Sequence, residues 1–163
     1  MKRFTLYIIV AAALFLTGLL PLRGTDVAEL LPVRVMLVEK KDGLVRIQCD
    51  HGAAGSGRNW ELALEDLRKS AEGKVFFGTV EHVVLARSAW DLLPRVAASS
   101  DLRPAAKICC AARKLPEPEQ TASFLHAHPG NVTLSRVRAQ MLAGRQVRLP
   151  QIISKEGRLL LAG

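Results

Sequence analysis

Gly52, Gly55 and Gly57 stand in the run HGAAGSG, between an alternating apolar segment and a helical one, where phosphate-binding loops occur. The spacing does not supply the chemistry. A dinucleotide fingerprint is GxGxxG, and here the order is reversed. A P-loop requires Lys and Ser or Thr after its second glycine, to reach the phosphates and hold Mg²⁺. Arg58 and Asn59 occupy those places. Ser56 lies between two glycines, not in the GxSxG of a nucleophile elbow. The run reads as a flexible connection.

The other reactive residues are scattered. His126-x-His128 is the only close histidine pair, and on a helix its side chains point about 200° apart. No cysteine or carboxylate pair lies nearby to complete a metal site, so His51, His82, His126 and His128 read as surface or partly buried histidines. Cys109 and Cys110 are adjacent and face opposite sides of any strand that contains them. Either can pair with Cys49 in an oxidising compartment, but buried free thiols are the favoured reading. Glu61, Glu65 and Asp66 fall on the polar side of an amphipathic helix. No acid, base and electrophile assemble, so the expectation is a protein that is not an enzyme, with no cofactor and no metal. A deep polar pocket around Glu81, His82 or Asp50 would revive an enzyme reading.

The elements that carry these residues follow from periodicity. Val33 to Val38 alternates as a half-buried strand. Lys41-Asp42-Gly43 is a turn, and Leu44 to Asp50 alternates again, completing a hairpin. Trp60, Ala63, Leu64, Leu67 and Ala71 share one face of a helix over Asn59–Glu72, with Gly73 as its stop. Lys74 to Ala86 is a β-rich central strand, kinked at Gly78. Ser88-Ala89-Trp90-Asp91 resembles a capping box for a helix reaching Ala98, with Pro94 poorly placed in it. Ala105 to Arg113 is a strand, and Pro118–His126 and Thr133–Ala143 are helices, the latter closed by Gly144. Arg158 to Leu161 is a last strand. The order β-β-α-β-α-β-α-α-β predicts a mixed α/β domain.

Charge and hydropathy bear on where this domain works. The chain has 163 residues, a formal charge of +8 and 49% hydrophobic residues, which excludes disordered and collagen-like classes. Phe4 to Leu22 is free of charge behind Lys2 and Arg3, long enough for a membrane-spanning helix. Phe4, Ile8, Ile9, Leu14, Phe15, Leu19 and Leu20 are its anchoring residues. The organisation expected is a signal-anchor at 1–22, a tether at 23–32 and the domain at 33–163. Lys2 and Arg3 place that domain outside the cytoplasm, away from chromosomal nucleic acid. Cleavage and secretion are the alternative. Residues 23–102 carry 11 basic and 12 acidic side chains, whereas 103–163 carry 10 and 3. Arg136, Arg138, Arg145 and Arg148 therefore form a candidate basic interaction surface, for anionic headgroups or an acidic partner. A solvated surface is the plain alternative.

Gly73 to Trp90, GKVFFGTVEHVVLARSAW, resembles the N-terminal region of the Ger(x)C family, the C subunits of bacterial spore germinant receptors. Asp26-Val27-Ala28-Glu29-Leu30 resembles that family's "WD-xx-EL" start, and Val35 to Glu39 its first strand. Leu92 to Arg113, Leu149-Pro150-Gln151-Ile152 and Leu159 to Gly163 resemble later segments in the same order. The resemblance implies a membrane-associated protein of spore germination, acting with other receptor subunits and without enzymatic activity. Two departures are visible. The family's lipobox cysteine has no counterpart in Leu22-Arg23-Gly24-Thr25, and the resemblance covers the N-terminal domain alone. A generic extracytoplasmic binding or scaffold module is the alternative reading.

Overall fold

A computed structural model describes Tyr7, residues 30–155 and residues 157–163. The anchoring residues Phe4, Ile8, Ile9, Leu14, Phe15, Leu19 and Leu20 lie outside the described residues. Among those described, no helix is long and apolar enough to cross a membrane.

The described chain is a mixed α/β fold. Its strands are β1 (Leu30–Pro32), β2 (Val35–Lys41), β3 (Leu44–Cys49), β4 (Ala54–Gly57), β5 (Lys74–Phe76), β6 (His82–Ala86), β7 (Lys107–Ala111), β8 (Gln151–Lys155) and β9 (Arg158–Ala162). Its helices are α1 (Trp60–Ser70), α2 (Leu93–Ala98), α3 (Pro118–Ala127) and α4 (Leu134–Leu142). Seven strands form one sheet in the order β4-β3-β2-β6-β7-β8-β9. β2, β6, β7 and β8 are parallel to one another, and β9 closes one side antiparallel to β8. On the other side β3 is antiparallel to both β2 and β4. β1 and β5 pair separately, in parallel, so the end of the expected tether is a strand.

Helices cover both faces of the sheet. Met36, Val38, Ile47, Val83, Leu85 and Ile108 meet Leu64 and Leu67 of α1, Val96 of α2 and Val137 of α4. The opposite face, with Val35, Leu37, Val84 and Cys109, meets Ala122 and Leu125 of α3. This double cover corrects the half-buried strand expected at Val33 to Val38: Val35 through Val38 are all buried, as parallel strands flanked by helices on both sides should be.

The β2–β3 hairpin forms where the alternation places it. Asp42 (φ 54°) and Gly43 (φ 76°) both adopt the left-handed conformation that a two-residue hairpin turn requires. Asn59 caps α1 by accepting a hydrogen bond from Leu62 N–H at 2.8 Å. Thr133 caps α4 by accepting from Arg136 N–H at 3.3 Å.

Several expectations change. Lys74 to Ala86 is not one strand. It is divided by a 3₁₀ turn at Phe77–Thr79, where Thr79 Oγ1 accepts from Val33 N–H at 3.0 Å and donates to the Phe76 carbonyl at 2.8 Å. Ser88 caps no helix. Its hydroxyl accepts from Lys40 N–H at 3.1 Å, and Asp91 pairs with the Lys40 ammonium, so Arg87–Leu92 docks as a 3₁₀ segment on the end of β2. Pro94 then falls in the first turn of α2, where its missing N–H costs nothing. β8 had no counterpart in the expected strands, and Gly157 (φ 75°) lies in the turn that joins it to β9.

Candidate functional site

The glycine run settles into structure. Ala54–Gly57 is the edge strand β4, and α1 packs directly across it. A Cβ at Gly55 would lie 2.3 Å from Leu67 N and 2.5 Å from the Ala63 carbonyl oxygen. At Gly57 it would lie 2.5 Å from Ala63 N. These glycines exist to let a helix backbone approach a strand backbone, and the space a phosphate would need is filled by α1.

Asp50, at the end of β3, is also structural. Its side chain is buried, and Oδ1 accepts from Arg34 N–H at 2.9 Å and Val35 N–H at 3.1 Å. Oδ2 accepts from Arg34 Nε at 3.3 Å. The Arg34 carbonyl in turn accepts from Glu81 N–H and His82 N–H, at 2.8 and 3.0 Å. Asp50 therefore fastens the start of β2 from one side while β6 holds it from the other.

All three cysteines are free thiols. Alternation separates them as expected: Cys49 and Cys110 belong to the face with three helices, Cys109 to the face with α3. Burial pushes Cys49 up to about 12, helped by the neighbouring Asp50 charge. Burial raises Cys109 to about 12 as well, with Cys110 adding to it. Cys110 is raised by burial and partly relieved by the Arg87 guanidinium. In the native protein iodoacetamide is expected to modify Cys110 first, faster as pH rises, while Cys49 and Cys109 react only on unfolding. Mass spectrometry of the alkylated chain checks this. Equal labelling of all three would contradict the burial.

Glu81 and His82 do share a cavity, of about 270 Å³, at the amino ends of β6 and β7. Arg103, Lys107 and His126 complete its charged lining, and among the described residues no thiol or hydroxyl joins them. His82 is 5% exposed, and among the described residues its Nε2 has no hydrogen-bond partner. Burial, then Lys107, lowers its pKa to about 4, with Glu81 opposing and Arg103 and His126 reinforcing. The unfolded histidine, near 6.5, binds a proton that the folded one refuses. Stability contributed by neutral His82 is therefore full above about pH 6.5 and lost as pH falls toward 4. His82→Leu is expected to flatten the stability profile in that window. Urea midpoints at pH 7.5 and 5 check it, and parallel profiles would refute it.

A larger cavity than this one is at the other end of the parallel strands. It measures about 780 Å³ and lies beyond the carboxyl ends of β6 and β7, the edge at which open α/β sheets hold ligands. Arg87 and Trp90 reach it from the segment after β6, Cys110 and Ala111 from β7. Val147, Arg148 and Leu149 reach it from the loop before β8, and Ala162 from β9. Of the four arginines expected to form one basic surface, only Arg148 lines it. Arg138 faces a separate groove beside Leu102 and Leu142, and Arg136, two residues away on α4, points elsewhere. Arg136, Arg138, Arg145 and Arg148 are all exposed. Trp90 and Arg87 carried no functional signal in the sequence beyond an aromatic and a cation three residues apart. Among the described residues no three of His, Cys, Asp and Glu converge as metal ligands.

The chain matches no family model, no curated protein and no solved structure.

Proposed function

We propose that this is a non-enzymatic binding domain, tethered to a membrane and facing outside the cytoplasm, that acts in spore germination with other receptor subunits. The observation that carries the reading is the run Gly73 to Trp90 with the segments that follow it, whose order and spacing resemble the N-terminal domain of germinant-receptor C subunits. The apolar stretch Phe4 to Leu22 behind Lys2 and Arg3 supports the tether. The non-enzymatic part draws support from the occupations of the reactive groups. Asp50 is engaged by backbone amides, and Cys49 and Cys109 are held protonated by burial. The open cavity beyond β6 and β7 gives the domain a place to bind.

A deletion strain scored for germination tests this. The expected result is loss or delay of germination on at least one nutrient, restored by the intact gene. Normal germination on every nutrient tried would leave the generic binding module in its place.

A further inference from the structure

We infer that the 780 Å³ cavity is a binding site for a small aromatic carboxylate, with Arg87 and Arg148 receiving the carboxylate and Trp90 the ring. The inference rests on reading the domain as a binding module and adds the chemistry of what it binds.

The volume falls within the range of about 300–1,000 Å³ typical of small-molecule sites. Charge decides the sign of the ligand. Among the described residues two guanidiniums line the cavity and no Asp or Glu side chain does, Gln151 and the terminal Gly163 completing its polar lining. Among the described residues neither Arg87 nor Arg148 makes a hydrogen bond or ion pair, whereas Lys40, Arg46, Arg68, Lys69, Arg95 and Arg103 each pair with a carboxylate on this domain. Arginine's planar fork matches a carboxylate better than any neutral group. The rest of the wall decides the body of the ligand. Ala111, Ala112, Val147 and Leu149 offer apolar surface, and Trp90 leaves 41% of its area in water although β6, just before it, is fully buried. An exposed indole offers a flat ring an offset-stacked or edge-to-face partner, and the guanidiniums beside it favour a ring that carries a carboxylate. Phosphate chemistry fits less well, since no glycine-rich turn here presents a cradle of backbone amides.

The test uses the full chain and 3-phenylpropionate as probe, read through Cys110, which lines the same cavity. Alkylation by iodoacetamide at about pH 9, where some of the thiol is ionised, reports access to the site. The acid should protect Cys110 saturably. The amide 3-phenylpropanamide and acetate should each protect at least about tenfold less well, because one lacks the charge and the other the ring. Arg148→Gln should weaken protection by a similar factor without lowering the melting temperature, while Arg136→Gln should leave it unchanged. Equal protection by the amide would reduce the site to an uncharged groove and overturn the inference. Equal protection by acetate, or none by the acid at millimolar concentration, would overturn it too. Protection that depends on Arg148 in a protein whose deletion leaves germination normal would remove the germination role and keep the site. A germination defect without protection would do the reverse.

Discussion

Gly55→Ala is expected to cost about 3 kcal/mol or more, at the upper end of what overpacking does to a filled interior. The added methyl would meet Leu67 N at 2.3 Å, the Ala63 carbonyl oxygen at 2.5 Å and Leu67 Cα at 2.6 Å. All three are backbone atoms of α1, so no side chain can swing aside. Either α1 moves off the sheet or β4 detaches from β3, and both expose Leu64 and Leu67, now 2% and 0% accessible. In a domain of this size the melting temperature should fall by something on the order of 10 °C. Gly130→Ala is the control. Its new methyl would find nothing closer than Leu161 Cδ2 at 3.9 Å, and its effect should stay within about 0.5 kcal/mol. Equal melting temperatures for Gly55→Ala and the unaltered protein would show that α1 does not lie on β4 as described.

Asp50→Ala should be nearly as damaging, by about 3 kcal/mol, because it strands two backbone donors and an arginine at once. Val35 N–H is buried and donates to the Asp50 carboxylate. Asp50→Asn separates the contributions. It retains an oxygen for the two amides and loses the charge that faces Arg34 Nε, whose side chain is well exposed. That loss should cost only about 1 kcal/mol. Urea unfolding ranks the three proteins. Native-state hydrogen exchange should also show the Arg34 and Val35 amides opening faster in the alanine variant. If the asparagine variant falls as far as the alanine variant, the carboxylate acts through its charge and not as an acceptor for β2.

Much of this framework is legible in the residues, and the failures have identifiable causes. The β2–β3 hairpin shows because alternation and an Asp-Gly turn agree with each other. α1, α3 and α4 show because their apolar residues keep a helical period. β4 does not, since Ala54-Gly55-Ser56-Gly57 contains no β-branched or aromatic side chain. It is a strand because its neighbours make it one, and its glycines answer to a helix that follows them. The split between β5 and β6 is hidden because VFFGTVEHVVLA is apolar throughout, and only the hydrogen bonds of Thr79 to Val33 and Phe76 reveal where the chain leaves one sheet for the other. The large cavity was beyond reach for a different reason. Arg87, Trp90, Cys110 and Arg148 come from three separate segments, and only the parallel register of β6, β7 and β8 brings them together. Arg148 was visible as part of a basic stretch, but nothing distinguished it from Arg136 or Arg145.

The distribution of the thiols has a consequence for how the chain matures. Cys49 on β3 and Cys110 on β7 face the same side, but β2 and β6 stand between them. At about 4.8 Å per strand their backbones are roughly 14 Å apart. A disulfide needs Cα atoms within about 7 Å, and Cys109 is on the opposite face. The closed sheet thus forbids every intramolecular bridge among the three. An oxidant can join them only while the chain is open, and a bridge from Cys49 to either of the others would bar β2 and β6 from entering between its ends. Sheet closure is then a race against oxidation, and the finished fold keeps its three thiols from bridging to one another by geometry alone.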